Sequence, residues 1–157
     1  MNIIEYRDWV LIVDTECTKE TYKKVALRGS ESCTCVDCKN FVNNLESIYP
    51  KEVKELFYRL GIDYRKDCET WKMCKEENGL HRYSGWFHFK GMFKGKSCIE
   101  KTGENTSSLN LTSITESFSI GFCYDNALTH FEEKENLVQV EFEVKVPWTI
   151  DKLLEYN

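Results

Sequence analysis

An alternation of apolar and polar residues late in the chain constrains the fold more than any other feature. In residues 138–146, four valines and one phenylalanine occupy every second position, with Gln139, Glu141, Glu143 and Lys145 between them. A period of two places these two sets on opposite faces of a β-strand. One apolar and one polar face are typical of an antiparallel sheet with a single face on the core. The pattern predicts a half-exposed strand and leaves an edge position open to it.

Shorter segments with similar chemistry predict further strands. Trp9–Val13 and residues 22–27 are rich in β-forming residues and a polar stretch separates them, so we expect an antiparallel pair. The dipeptide Asn78-Gly79 lies between two period-two stretches and predicts a hairpin. Residues 118–124 alternate again, whereas residues 102–108 have the composition of an exposed loop.

Two consecutive segments in the first half have helical periodicity. Residues 38–48 place their apolar side chains on one side, and Pro50 then opens a second helix. The second helix has the apolar stripe of a core-facing helix, formed by Val53, Leu56, Phe57 and Leu60, and Gly61 follows it as a C-terminal cap. The sequence thus predicts one α+β domain, residues 1–157: a mostly antiparallel β-sheet with a helical pair, at about residues 38–60, packed on one face.

Charge and hydropathy argue against several classes of partner. The 157 residues include 26 acidic and 21 basic side chains, a formal net charge of −5. Binding to phosphate backbones or anionic lipids needs a local excess of Lys and Arg, so we expect no nucleic-acid and no membrane partner. Glu5, Arg7 and Asp8 interrupt the segment where an export signal would be apolar. Trp9–Val13, the longest apolar run, is far shorter than the roughly 18 residues of a membrane span, and we expect a cytoplasmic protein.

Three of the eight cysteines lie within six residues, at Cys33, Cys35 and Cys38. In a reducing compartment such clustering points to metal ligation, to catalysis or to plain thiols rather than to disulfides. A Cys-x-x-Cys turn places two sulfurs where one zinc ion can bridge them, and Cys33 adds a third. The helix that follows directs its positive N-terminal end at the cluster, which favours thiolates. We therefore predict a structural zinc site and keep reduced thiols and redox chemistry as alternatives.

The fourth zinc ligand has to come from elsewhere in the chain. Period two places His88 on the strand face opposite Phe87 and Phe89, which belong in the core. We therefore predict His88 as the fourth ligand, with an ordinary strand histidine as the competing interpretation. Four other residues are fallback ligands, namely Cys17, Cys68, Cys74 and His81.

Four short motifs after residue 32 form a recognisable series. They are Cys-x-Cys-x-x-Cys-x-Asn-Phe at residues 33–41, Leu-Gly-Ile-Asp at 60–63, Gly-Trp-Phe-His-Phe at 85–89 and Val-Pro-Trp at 146–148. In this series the chain resembles an uncharacterised bacterial protein family. The resemblance implies that the three cysteines and His88 belong to one recurrent group, and it carries no known activity.

The remaining motifs do not favour an enzyme. A thioredoxin-like protein would need a proline facing the dithiol, but the only prolines are Pro50 and Pro147. The signatures of serine hydrolases, zinc proteases and zinc deaminases are missing from the sequence. We predict a non-enzymatic protein-binding module with structural zinc, acting as a monomer or homodimer with an unidentified protein partner. The alternative is an enzyme that uses the Cys33, Cys35 and Cys38 cluster as a redox-active dithiol or an open metal site.

Overall fold

The computed structural model describes residues 1–26 and 29–156. Its strands are β1 (Asn2–Tyr6), β2 (Trp9–Val13), β3 (Glu69–Lys75), β4 (His81–Lys94), β5 (Ile99–Lys101), β6 (Ser107–Leu109), β7 (Thr112–Thr115), β8 (Phe118–Cys123) and β9 (Leu137–Val146). Its helices are α1 (Thr15–Lys23), α2 (Gly29–Ser32), α3 (Val36–Asn43), α4 (Leu45–Ile48) and α5 (Lys51–Leu60), and a 3-10 turn follows at Lys152–Leu154.

Strand β4 organises a seven-stranded sheet in which every pairing is antiparallel. One edge of β4 pairs with β9 over ten consecutive residues. Its other edge is shared, since β3 pairs with the first half of β4 and β2 with the last four residues. The strand order is β1-β2-β4-β9-β8-β7, with β3 beside β4, and β5 and β6 form a separate hairpin.

The helices after residue 35 pack on one face of this sheet, as predicted, and the α+β fold class is confirmed. The Phe57 ring on α5 lies edge-on to Phe87 on β4, with ring centroids 4.8 Å apart. Phe87 in turn contacts Phe142 on β9 at 5.7 Å. Burying aromatic rings from both layers in this way supplies most of the hydrophobic stabilisation of such a core.

The predicted hairpin and the predicted cap of α5 are confirmed by glycines in the left-handed conformation. Gly79 has φ 87° between β3 and β4, and Gly61 has φ 86° at the C-terminus of α5. Glycine adopts this conformation without the steric cost that a Cβ atom brings. The exposed segment predicted at residues 102–108 is the tip and second strand of the β5–β6 hairpin.

The strand predicted at residues 22–27 is wrong as far as the structure describes it. Helix α1 occupies Thr15–Lys23, and the Asp14 side chain caps it by accepting a hydrogen bond from the Cys17 N–H at 3.0 Å. Leu27 lies outside the described residues. Only Thr18 and Tyr22 on α1 are buried, so the capping residue, and not apolar periodicity, marks this helix.

The half-exposed strand predicted at residues 138–146 is also wrong in part. The apolar face is buried as expected, but Gln139 and Glu141 on the other face are only 5% and 7% exposed. The segment between β8 and β9 passes over this face, and its Asp125 carbonyl meets the His88 ring. Strand β9 lies between β4 and β8, so it is central and not at an edge. Among the described residues, no helix is long and apolar enough to span a membrane.

Candidate metal centre

Cys33, Cys35 and Cys38 come together at the start of α3. Their three sulfur atoms lie within 4.8 Å of one another, and no cysteine among the described residues forms a disulfide. Cys33 and Cys35 are exposed, whereas Cys38 is buried. Three thiols at this spacing can hold a metal ion, and the exposed pair leaves the cluster open to solvent on one side.

The start of α3 orients two of these sulfurs. Cys35 is the N-cap residue, and its Sγ accepts a hydrogen bond from the Cys38 N–H at 3.4 Å. The Cys35 carbonyl accepts from the Lys39 N–H at 3.2 Å. These backbone contacts fix the position of the Cys35 sulfur at the helix N-terminus. The turn is therefore arranged for a metal ligand before any ion binds.

The segment before the cluster is fixed to the sheet by Asp67. The Asp67 carboxylate accepts hydrogen bonds from the Ser30 N–H at 3.1 Å, the Ser30 hydroxyl at 2.9 Å and the Thr70 hydroxyl at 2.7 Å. Its backbone carbonyl accepts from the Gly29 N–H at 2.9 Å. Between Ser30 and the start of α3, residues 31–35 are all exposed. The first two cysteines of the cluster thus lie on a short exposed segment, and the residue just before this segment, Ser30, is fixed by Asp67.

The segment after the cluster is fixed by polar contacts of α3. The Tyr83 hydroxyl donates to the Asp37 carbonyl at 2.7 Å. The Asn40 amide donates to the Pro147 carbonyl at 3.0 Å and accepts from the Thr149 N–H at 2.9 Å. These contacts tie α3 to β4 and to the chain that follows β9.

A charged group beside the cluster has no counterpart in the sequence prediction. Asp37, between Cys35 and Cys38, lies 3.3 Å from the Lys72 ammonium and accepts a short hydrogen bond from the Tyr156 hydroxyl. The Lys72 ammonium also lies 4.2 Å from the centre of the Tyr156 ring. Lys72 and Tyr156 are distant from the cysteines in sequence, and neither belongs to a motif that could have indicated this contact.

The thiols of the cluster differ in their acidity without metal. Hydrogen bonds from the Cys35 backbone, and then from the thiols of Cys35 and Cys38, lower the pKa of Cys33. Burial and the neighbouring thiols raise the pKa of Cys38. The Sγ atoms of Cys33 and Cys35 are 3.2 Å apart and share a hydrogen bond.

The structure places His88 in a different group. Its Nε2 lies 2.9 Å from the Asp125 carbonyl, so this nitrogen carries the proton and donates it. Its Nδ1 lies 3.5 Å from Cys68 Sγ and accepts from that thiol. Both ring nitrogens thus have partners on the sheet face opposite the helices, and His88 does not belong to the three-cysteine cluster.

The fallback ligands are also elsewhere. Cys68 is the thiol partner of His88, and His81 is buried with its Nε2 2.8 Å from Glu155. Cys17 lies on α1, and Cys74 is exposed on β3. Within residues 1–26 and 29–156, no fourth Cys, His, Asp or Glu atom joins the cluster within the same 4.8 Å.

Burial disfavours the charged forms of the Cys68 and His88 pair. Burial raises the pKa of Cys68 to about 12, and burial lowers the pKa of His88. Both shifts favour the neutral thiol and the neutral imidazole over a thiolate and imidazolium pair. Tyr22 also fixes the backbone of His88, because the Tyr22 hydroxyl donates to the His88 carbonyl at 3.1 Å and accepts from the His88 N–H at 3.0 Å.

Fold and site together define an α+β protein with a solvent-facing cluster of three thiols at a helix N-terminus. No protein-family model, no curated protein and no solved structure matches the chain. The resemblance of the four sequence motifs to an uncharacterised bacterial family therefore stays a prediction.

Proposed function

We propose that Cys33, Cys35 and Cys38 bind one zinc ion, and that this ion holds residues 31–38 in place in a non-enzymatic protein. The observation that carries the proposal is the approach of three sulfurs to within 4.8 Å at a capped helix start. Zinc accepts thiolate ligands in a tetrahedron, and the three cysteines supply three corners of it.

The stabilising role follows from the exposure of this segment. Residues 31–35 are exposed and bury no apolar side chain, although they connect two anchored elements. A metal ion can replace a missing core at such a place, because its binding free energy adds directly to the free energy of folding. Structural zinc sites supply on the order of 10 kcal/mol in small peptides, which is ample for one segment.

Elemental analysis and native mass spectrometry test the zinc site, using protein purified without chelator or affinity metal. We expect one zinc per chain, and loss of that zinc in Cys35→Ser. Serine is itself a good N-cap residue, so a lower melting temperature in this variant reports the lost metal and not the lost cap. Cys74→Ser is the matched control, since Cys74 is exposed and outside the cluster. Protein that neither contains zinc nor binds it tightly would disprove the proposal.

A second candidate is a redox-active dithiol, favoured by the exposure of Cys33 and Cys35 and by their 3.2 Å sulfur contact. Alkylation rates separate the two functions. A zinc site protects three cysteines until a chelator is added, whereas a reactive dithiol is alkylated rapidly without one.

We further propose that the protein acts by binding another protein. The supporting feature is the exposed apolar surface of β3, where Trp71 is 43% and Met73 is 47% exposed. Large apolar side chains that stay exposed together mark interaction surfaces. We propose a second copy of this chain as the occupant, because β3 pairs with β4 alone among the described strands. Sedimentation should give a dimer that Trp71→Glu dissociates, and a monomer at every concentration would contradict this.

A further inference from the structure

A groove with a strong excess of positive charge lies between α1 and α5, on the helical side of the protein. Its volume is about 660 Å³, and the loop of residues 61–66 forms one wall. Two acidic residues, Glu16 and Asp63, line it against six basic ones, which are Lys19, Lys23, Lys54, Arg59, Arg65 and Lys66. This concentration of positive charge stands out in a chain whose net charge is −5.

Four of the six basic residues keep their charge free for a ligand. Arg65 is paired with Glu46 at 3.0 Å, and Lys23 is paired with Glu20 at 3.1 Å. In the part of the chain that the structure describes, no acidic group lies within ion-pair distance of the other four, Lys19, Lys54, Arg59 and Lys66. Unpaired cations around a concave surface focus a positive potential that attracts anions.

Two of these four side chains, which have no acidic partner, are held in position by backbone carbonyls. The Lys66 ammonium donates to the Tyr22 carbonyl at 2.8 Å, and the Lys54 ammonium donates to the Glu46 carbonyl at 2.7 Å. An ammonium has three donors, so each retains donors for a bound anion. Holding these side chains before binding lowers the entropic cost of ordering them around a ligand.

The groove also offers aromatic surface beside the charge. Tyr58 is 84% exposed on α5, which is unusual for a large aromatic side chain. The Tyr64 ring is fixed by the Lys54 ammonium, 4.8 Å from its centre, and by the Arg65 guanidinium at 4.5 Å. An anion with an apolar or aromatic part would find partners for both parts here.

We propose that this groove binds a small phosphate-bearing molecule with an aromatic part. The phosphate is held by Lys19, Arg59 and Lys66, and the aromatic part packs against Tyr58. The volume falls within the range of about 300–1,000 Å³ that is typical of small-molecule sites. This site is separate from the cysteine cluster and does not depend on metal binding there.

Isothermal titration calorimetry and NMR chemical-shift mapping on the full chain test the site, with AMP, inorganic phosphate and a single-stranded oligonucleotide as probes. We expect AMP to bind more tightly than inorganic phosphate and to shift groove signals. The double variant with Lys19→Gln and Arg59→Gln should bind AMP about tenfold or more weakly, because each change removes a charged hydrogen bond. Both positions are exposed, so the fold should tolerate the changes.

A matched control removes the same two charges elsewhere, with Lys94→Gln and Lys101→Gln, which are exposed on β4 and β5. It should bind AMP like the unaltered protein. Three results would overturn the proposal: AMP shifts no groove signal, both double variants lose affinity equally, or the oligonucleotide binds more tightly than AMP. The last result would assign the groove to a nucleic acid.

Discussion

The Asp67 carboxylate accepts two hydrogen bonds from Ser30, one from the Ser30 backbone N–H at 3.1 Å and one from the Ser30 hydroxyl at 2.9 Å. The Asp67 side chain is completely buried, so these hydrogen bonds replace all of its water. Asp67 lies two residues before the start of β3, and Ser30 directly precedes the exposed segment of residues 31–35. One buried carboxylate therefore sets the position from which the metal segment leaves the sheet.

We predict that Asp67→Ala lowers the free energy of unfolding by about 3 kcal/mol, because it leaves the buried donors of Ser30 and Thr70 without an acceptor. Urea denaturation measures this directly. The same variant should weaken zinc binding, since the segment before Cys33 loses its anchor. Asp8→Ala, at an exposed position, is the control and should change neither quantity. Equal stability of the two variants would contradict the anchoring role of Asp67.

His88→Gln tests whether His88 is a zinc ligand. We expect the variant to keep one zinc per chain, because both ring nitrogens of His88 have partners outside the cluster. It should lose about 1–3 kcal/mol of stability, since the Asp125 carbonyl and the Cys68 thiol lose buried partners. Zinc content and urea denaturation on one preparation give both answers. A folded variant without zinc would instead establish His88 as a ligand.

Glu141 makes the stability depend on pH. Burial raises its pKa from the ordinary 4.5 to about 7 in the folded protein, and the Gln139 amide opposes this shift by hydrogen bonding. Between these two values the folded protein binds a proton that the unfolded chain has released. The stabilising contribution is thus complete below about pH 4.5 and is lost as the pH rises through 7, by about 3 kcal/mol in total.

We predict that Glu141→Gln removes this dependence, because the amide is neutral at every pH. The variant should be more stable than the unaltered protein above about pH 7, and the difference should vanish towards pH 4.5. Thermal unfolding across this range measures it. Glu104→Gln, at an exposed position of the β5–β6 hairpin, is the control and should leave the pH profile unchanged, because Glu104 is not among the charges that act on Glu141. Parallel profiles for Glu141→Gln and the unaltered protein would refute the assignment.

Comparing Gly61 with Gly79 separates the backbone strain of replacing a glycine from the steric clash of the added Cβ atom. Their φ angles are 86° and 87°, so alanine meets the same backbone strain at both, of roughly 1–2 kcal/mol. At Gly61 a Cβ atom would also lie 2.6 Å from the Thr15 carbonyl oxygen, whereas at Gly79 it would meet nothing within 4 Å. Gly61→Ala should therefore destabilise the protein more than Gly79→Ala by about 1 kcal/mol or more in urea denaturation. Equal losses would mean that α1 and α5 can move apart freely.

The elements that could be predicted from sequence are those whose pattern is local and complete. Helix α5 has a full apolar stripe and a capping glycine, and β9 has unbroken alternation. Helix α1 buries only Thr18 and Tyr22, so its apolar pattern is too sparse to overrule the β-forming residues near its end. Strand β1 places Ile3 outside and Ile4 inside, and two neighbouring isoleucines conceal the alternation.

In the candidate site, too, the contacts between residues close in sequence could be predicted, and the contacts between distant residues could not. Cys33, Cys35 and Cys38 are close in sequence, so a single turn at the start of α3 is enough to bring them together. The position of His88 depends on which segment covers the second face of the sheet, and that is decided by the path of residues 124–136. Lys72 and Tyr156 reach Asp37 only through tertiary packing. Contacts of this kind leave no pattern in one sequence.

The position of β9 between β4 and β8 has a consequence for how the chain folds during synthesis. Strands β4 and β8 do not pair with each other, and both depend on β9, which is made after them. Until β9 leaves the ribosome, each presents an unpaired backbone edge, and each strand is rich in phenylalanine. The sheet therefore closes late, and a ribosome stalled before residue 137 would hold a chain prone to aggregation.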